Sequence, residues 1–399
     1  MGQVKEMKAM EQKKERKPAG RILVIGAGRE GKGYLGNVFS EGGWEVAFLD
    51  RDAAVIKALK KGSYEVMEYR AEDTRKRIVE GYTAFLADKA YGCRPAALEA
   101  DVIALCLYPA DIPEAIEYLL PLLKERAAHL TEKKLTIFPC TNESGQVPLI
   151  DRKLRESFEP WEITWYESHV ALRDAVVRRP VGAVSSSSLQ LEAGVVCPML
   201  VGEPIYADFS GVPWMQTTPE DIDLLKELKV HTINCAHAAT AYAGYLKGYQ
   251  TIDEAAADPQ IRSIRDGVLE EAVPVLAKVY GVPLDSLWEL AVFPESKEPF
   301  SDPIVRVAYD PLRKLARHDR LTANACLCLE HGVDPVNLIQ SIANGLAYDA
   351  SGDEKAQIMQ HWIAQLGIGK AAAKVTGLSE DHPVVRRAAA AYHKICTGQ

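Results

Sequence analysis

Arg21-Ile22-Leu23-Val24-Ile25-Gly26-Ala27-Gly28-Arg29-Glu30-Gly31 is a short apolar run that ends in a G-x-G-x-x-G turn. The run has the branched, apolar character of a buried strand, residues 33–40 have helical character, and Trp44 to Leu49 reads as a second strand. The stretch therefore predicts a β-α-β unit with its glycines at the first strand-to-helix turn. A side chain at such a turn would keep the backbone from approaching a pyrophosphate, and a helix N-terminus offers free N–H groups and the positive end of its dipole. Gly26, Ala27, Gly28, Arg29, Glu30 and Gly31 are accordingly the expected cofactor-binding turn. A glycine-rich turn without a ligand is the plainer alternative.

Working outward, Asp50 closes the second strand 24 residues after Gly26. A carboxylate there accepts hydrogen bonds from the adenosine ribose and repels a 2′-phosphate, which favours NAD over NADP. Arg51 keeps NADP open, because an arginine at this turn also accommodates that phosphate. A charged, helix-like stretch from Ala53 to Gly62 follows, and Val102 to Leu107 and Leu135 to Phe138 are apolar enough for buried parallel strands. The alternation predicts an α/β chain that begins with a Rossmann-type doubly wound sheet.

From Val181 to Trp214 the composition turns to Ser, Gly, Pro and short β-prone runs, including Ser185 to Ser188, and the first domain is expected to end there. Thr218-Pro219-Glu220-Asp221 looks like an N-cap followed by a first-turn proline and first-turn acids. Beyond it the pattern is helical, punctuated at Gly281-Val282-Pro283, Asp302-Pro303 and Gly332-Val333-Asp334-Pro335. The expected division is a tail over 1–19, a dinucleotide-binding domain over 20–214 and a mostly α-helical substrate and catalytic domain over 215–399.

With 399 residues, 47% hydrophobic and 26% charged, the chain can bury two cores. A net charge of -8 and a pI near 5.7 leave no global positive field, so nucleic acid and anionic membrane surfaces are not expected partners. The expected partner is a small molecule, and an anionic one needs a local basic pocket. No apolar run reaches the ~18 residues of a membrane span. No secretory signal precedes the cysteines, so a cytoplasmic protein with reduced thiols is expected, as monomer or homodimer. Cys326 and Cys328 lack an accompanying ligand pair at zinc-like spacing, so no metal site is expected. Met1 to Pro18 reads as a frayed helix or a disordered tail.

Lys229, Asn234 and His237 form Lys-x4-Asn-x2-His within small and apolar sequence. On one continuous helix they would fall at about 0°, 140° and 80° and share a side. Alcohol oxidation needs a base for the hydroxyl proton and donors for the developing carbonyl oxygen, and these residue types suit both tasks. A free lysine, with a pKa of about 10.4, is protonated at neutral pH, so the base must be buried enough to bring it toward roughly 7 to 8. The same spacing also fits a core helix with satisfied Asn and His and a lysine that reaches water.

Ile25 through Tyr34, then Lys229 through Thr251 with Ala241-Tyr242-Ala243-Gly244 and Gly248-Tyr249-Gln250-Thr251, resemble the polyol-specific long-chain dehydrogenases, the mannitol dehydrogenase family. The likeness continues through Pro311-Leu312-Arg313-Lys314-Leu315 and Asp319-Arg320-Leu321, and so spans nearly the whole chain after Gly20. It implies an N-terminal Rossmann-type domain, an α-helical C-terminal domain, a metal-free active site between them, and NAD-dependent interconversion of mannitol 1-phosphate and fructose 6-phosphate. It makes Lys229 the general base, Asn234 a donor to the reacting oxygen and His237 a substrate-positioning or proton-relay residue. The family's second asparagine follows a strand ending in cysteine, which Cys140-Thr141-Asn142 matches, so Asn142 joins the catalytic set. Arg313 and Lys314, within a basic run that also holds Arg306, Arg317 and Arg320, are the expected grip on a substrate phosphate.

Two departures fall near the expected substrate. Val177-Arg178 stands where members commonly carry Asp-Arg, and Glu143 to Pro148 do not continue as usual after the asparagine. An unphosphorylated polyol or sugar acid (mannitol, fructuronate, tagaturonate) therefore stays open as substrate, as does a dinucleotide-sensing protein without turnover.

Overall fold

The computed structural model describes residues 18–70, 73–129, 132–177, 181–183, 185–195, 197–291 and 302–397. The expected tail and Arg178 lie outside these residues, apart from Pro18 and Ala19. The described chain falls into two compact units divided between Lys226 and Glu227, inside the helix Ile222–His231. Composition changes earlier, at Trp214.

The first unit is built on a six-stranded parallel sheet. Its strands are β1 (Arg21–Ile25), β2 (Glu45–Asp50), β3 (Thr83–Leu86), β4 (Val102–Leu105), β5 (Leu135–Pro139) and β6 (Val170–Leu172), in the spatial order β3-β2-β1-β4-β5-β6. Leu23 lies opposite Ala47 on one side and Ile103 on the other, and Ile103 opposite Ile137. Successive residues face opposite layers: Ile22, Val24, Val46, Phe48, Val102 and Ala104 enter one core, while Leu23, Ile25, Ala47, Leu49, Ile103 and Leu105 enter the other. A sheet covered on both faces needs strands that are apolar throughout, which is why these runs read as continuous rather than alternating. The strand order reverses between β1 and β4, and that switch point opens a crevice at the carboxyl ends where ligands of such sheets bind.

Two smaller sheets complete this unit. Ser63–Arg70 and Thr74–Glu80 pair antiparallel, and Gln190–Val195 adds parallel to the first of them. Met199–Gly202 pairs with Met215–Thr218. That pairing corrects the expected helix start, because Thr218 ends a strand and its carbonyl accepts from Glu203 N–H at 2.9 Å. Asp221 takes the capping role, accepting from the N–H groups of Asp223 and Leu224 at 2.9 and 3.4 Å.

The second unit is helical. Its central helix, Ile233–Leu246, buries residues on every side, from Cys235 through Gly244, which is why its sequence is small and apolar with little period. It packs against Ile252–Ala257, Pro259–Tyr280, Ile304–Ala308 and Val336–Leu346. No helix among the described residues is long and apolar enough to cross a membrane. Five of the eight cysteines (Cys93, Cys140, Cys197, Cys235 and Cys328) are buried, Cys106 and Cys326 are partly exposed, and Cys396 is exposed.

Candidate active site

The glycine turn is closed by two backbone requirements. Gly26 has φ +91°, and a Cβ there would lie 2.2 Å from the Cys106 carbonyl oxygen, so only glycine fits beside β4. A Cβ on Gly31 would lie 2.0 Å from the Gly26 oxygen, so its absence lets the following helix pack on the turn. Gly28 faces open space, with nothing within 4 Å of where its Cβ would stand. The helix that follows runs over 29–41, and Gly31–Gly36 within it is wound as π-helix. Lys32, fully buried in that helix, donates to the carbonyls of Ser186 and Ser188 at 2.5 and 3.0 Å, and burial pushes its pKa down to about 8. An open backbone beside a helix N-terminus at the switch point is a cradle that fits a dinucleotide pyrophosphate. Arg29 stands exposed and Glu30 half-buried at its rim.

Asp50 is fixed to this turn. One carboxylate oxygen accepts from Ala27 N–H at 2.7 Å and the other from Asp52 N–H at 2.9 Å. The next residue, Arg51, is turned to the acids at the start of the helix after β4, 2.8 Å from Asp111 and 2.7 Å from Glu114.

Asn142 is exposed, three residues past the end of β5. Its loop is held by the helix α1 (Ile222–His231): Gly145 N–H donates to Asp223 at 3.1 Å and Lys226 Nζ to the Glu143 carbonyl at 3.2 Å. Lys226 is 1% exposed and ion-pairs with Asp174 at 2.7 Å. Burial raises the Asp174 pKa and the Lys226 ammonium opposes that rise. No local sequence pattern marks this pair; its carboxylate lies three residues before the buried Val177, which stands where members of the resembled family commonly carry an acid.

Lys229, half-buried, lies one turn beyond Lys226 on α1, whereas Asn234 and His237 lie on α2 (Ile233–Leu246). The expected single helix is thus broken at Thr232, with φ -110° and ψ -85°, so the angular argument holds for Asn234 and His237 but not across to Lys229. The bend has identifiable causes. Thr232 Oγ1 donates to the Leu228 carbonyl at 2.7 Å, and the His231 carbonyl accepts from the Asn324 side-chain amide at 2.7 Å. Asn324, 93 residues away on α3 (Thr322–Glu330), also accepts from His231 Nδ1 at 2.9 Å. Arg320 reaches the Asn234 carbonyl at 3.5 Å while holding Asp319 at 2.7 Å.

Burial lowers the pKa of His237; Asp302 opposes the shift and Arg306, Lys229 and Arg320 add to it, so the ring is neutral at pH 7. The expected basic run divides in two. Lys314 is buried and donates to the Val307 and Tyr309 carbonyls, both at 2.5 Å, and its pKa is lowered to about 7 by burial, then by Arg320 and Arg313. Its ammonium ties its own segment together. Arg313 is exposed, 3.4 Å from both Asp310 and Asp319, and Arg306 pairs with Asp302. Among the described residues no group of three or more His, Cys, Asp or Glu side chains is arranged to hold a metal.

A family model for the mannitol dehydrogenase Rossmann domain matches residues 20–201, and one for the mannitol dehydrogenase C-terminal domain matches 221–396. The chain is 31% identical to a mannitol-1-phosphate 5-dehydrogenase of Caldanaerobacter subterraneus subsp. tengcongensis over 382 residues, 94% of this chain and 98% of that one. It is 27% identical to the protein of that name from Thermoanaerobacter pseudethanolicus, over 92% of this chain and 97% of the other. Among solved structures, Pseudomonas fluorescens mannitol 2-dehydrogenase in ternary complex with NAD and D-mannitol matches with TM-score 0.68 at 15% identity, covering 96% of this chain and 92% of that one. A substrate-free D-sorbitol dehydrogenase matches with TM-score 0.74 at 16% identity, covering 94% and 93%. At such identities the structural likeness bears on fold alone.

Proposed function

Since the chain belongs to the mannitol dehydrogenase family, we propose that it interconverts mannitol 1-phosphate and fructose 6-phosphate with NAD(H). The observation that carries the choice of a phosphorylated substrate is the charge around His237, where Lys229, Arg306 and Arg320 outnumber Asp302 and the Asp319 that pairs with Arg320. Arg313, exposed in the same basic segment, is assigned to the phosphate, and Lys314, engaged with backbone carbonyls, is not. NAD is favoured over NADP because the Asp50 carboxylate, held at the glycine turn by Ala27 N–H, would accept from a ribose hydroxyl and repel a 2′-phosphate, and Arg51 is occupied by two acids.

When bound, the dinucleotide supplies the hydride acceptor. Lys229 takes the proton of the reacting hydroxyl, and its ammonium form then stabilises the carbonyl product. Asn234 and Asn142 donate to the oxygen as its charge develops, and neutral His237 positions the neighbouring hydroxyl. In the reverse direction Lys229 returns the proton.

One observation favours a second reading, an uncharged polyol: Arg306, Arg313 and Arg320 each already face an aspartate. The test is the fall in NADH absorbance with fructose 6-phosphate, run beside fructose, fructuronate and tagaturonate and repeated with NADPH. Rapid oxidation of NADH with fructose 6-phosphate is the expected result. Preference for fructose selects the second reading, and silence with every ketose despite NADH binding overturns both.

A further inference from the structure

The bend at Thr232 stands between the proposed base and the proposed donors, and a buried two-point contact holds it. Asn324 is 1% exposed and His231 6% exposed, and neither has a role in the reaction proposed above. The Asn324 amide nitrogen donates to the His231 carbonyl at 2.7 Å, which fixes the orientation of the amide. Its oxygen is then the acceptor of the second contact, at 2.9 Å, so His231 carries its proton on Nδ1. Both hydrogen bonds end on the residue that precedes the break, one on its backbone and one on its ring. The partner comes from α3, whose first residues follow directly on Asp319-Arg320, the pair that reaches the Asn234 carbonyl. One segment, 319–324, thus grips both sides of the bend.

We infer that Asn324 and His231 are positioning residues that set the angle between α1 and α2, and with it the placement of Lys229 against Asn234 and His237. The inference rests on the reaction proposed above. A helix that continued straight through Thr232 would turn Lys229 to a different azimuth. A displacement of about 1 Å at a reacting group costs roughly 10²-fold in rate, so the contact acts on turnover rather than on affinity.

Three variants test this with the whole protein. Asn324→Leu keeps the volume and removes both hydrogen bonds, His231→Phe keeps a ring and removes the Nδ1 donor, and His231→Asn returns an amide N–H near the Nδ1 position. The expected result is a fall in kcat of about 10²-fold for Asn324→Leu and about 10-fold or more for His231→Phe, with the NADH dissociation constant and the ketose KM within about twofold of wild type. His231→Asn recovers most of the loss. If Asn324→Leu fails to fold, the two His231 variants decide. Wild-type kcat in Asn324→Leu and His231→Phe overturns the inference alone, as does a His231→Asn variant no better than His231→Phe. A wild type that binds NADH and turns over no ketose overturns the functional reading and this inference with it.

Discussion

The glycine turn of the first unit and the bent helix pair of the second reach their geometry by opposite routes. Gly26 and Gly31 lie within six residues, and their constraints are met by backbone atoms of the same β-α-β unit and the adjoining strand. Lys229, Asn234 and His237 span nine residues, but the bend among them is held by Asn324 and Arg320, from 86 to 93 residues away. A site built from backbone conformation is written in the residues that form it. A site built from long-range side-chain contacts leaves only its reacting groups in the local pattern.

Four perturbations sharpen that contrast. The largest effect is expected at Lys226, where Lys226→Met leaves Asp174 buried without its cation and costs about 3–5 kcal/mol of unfolding free energy in denaturant titration. Adding Asp174→Leu recovers most of that cost if the loss comes from the uncompensated charge. Gly26→Ala forces a Cβ into the left-handed region against the Cys106 carbonyl; strain of about 1–3 kcal/mol alone weakens NADH binding by roughly 5- to 150-fold by fluorescence titration. Affinity unchanged from wild type would break the backbone half of the comparison.

Lys314→Met is a smaller change, leaving two carbonyls without their donor. It is expected to cost about 1–3 kcal/mol of stability while the KM for fructose 6-phosphate stays within about twofold. A large rise in KM with stability intact would return Lys314 to the substrate. The smallest effect is a pH dependence. His231 and His237 have pKa values lowered by burial, so the unfolded chain takes up their protons first as pH falls. Their contribution to stability is whole above about pH 6.5 and is lost below it, and His231→Asn flattens that decline in thermal melts recorded between about pH 8 and pH 5.

Much of the fold was legible because four of the six central strands, β1, β2, β4 and β5, are apolar on both faces. The edge strands were not, since Thr83–Leu86 and Val170–Leu172 are four and three residues long and carry no period. The sheet that joins Ser63–Arg70 to Gln190–Val195 depends on a parallel pairing across more than a hundred residues, which no local pattern encodes. Of the site, the glycine turn and the residue types at 229, 234 and 237 were readable. The break at Thr232 was not, because Thr and His are unremarkable inside a helix until Asn324 takes the carbonyl. Lys226 had a weak signal, a second lysine one turn before Lys229, but its partner Asp174 lies 52 residues earlier.

The most direct measurement is the single-turnover rate of hydride transfer in Lys229→Ala, with NADH prebound and fructose 6-phosphate mixed in. General-base loss predicts a fall of about 10²- to 10⁴-fold with the NADH dissociation constant unchanged. A rate equal to wild type would contradict the account at its centre and take the proton from Lys229 to another group.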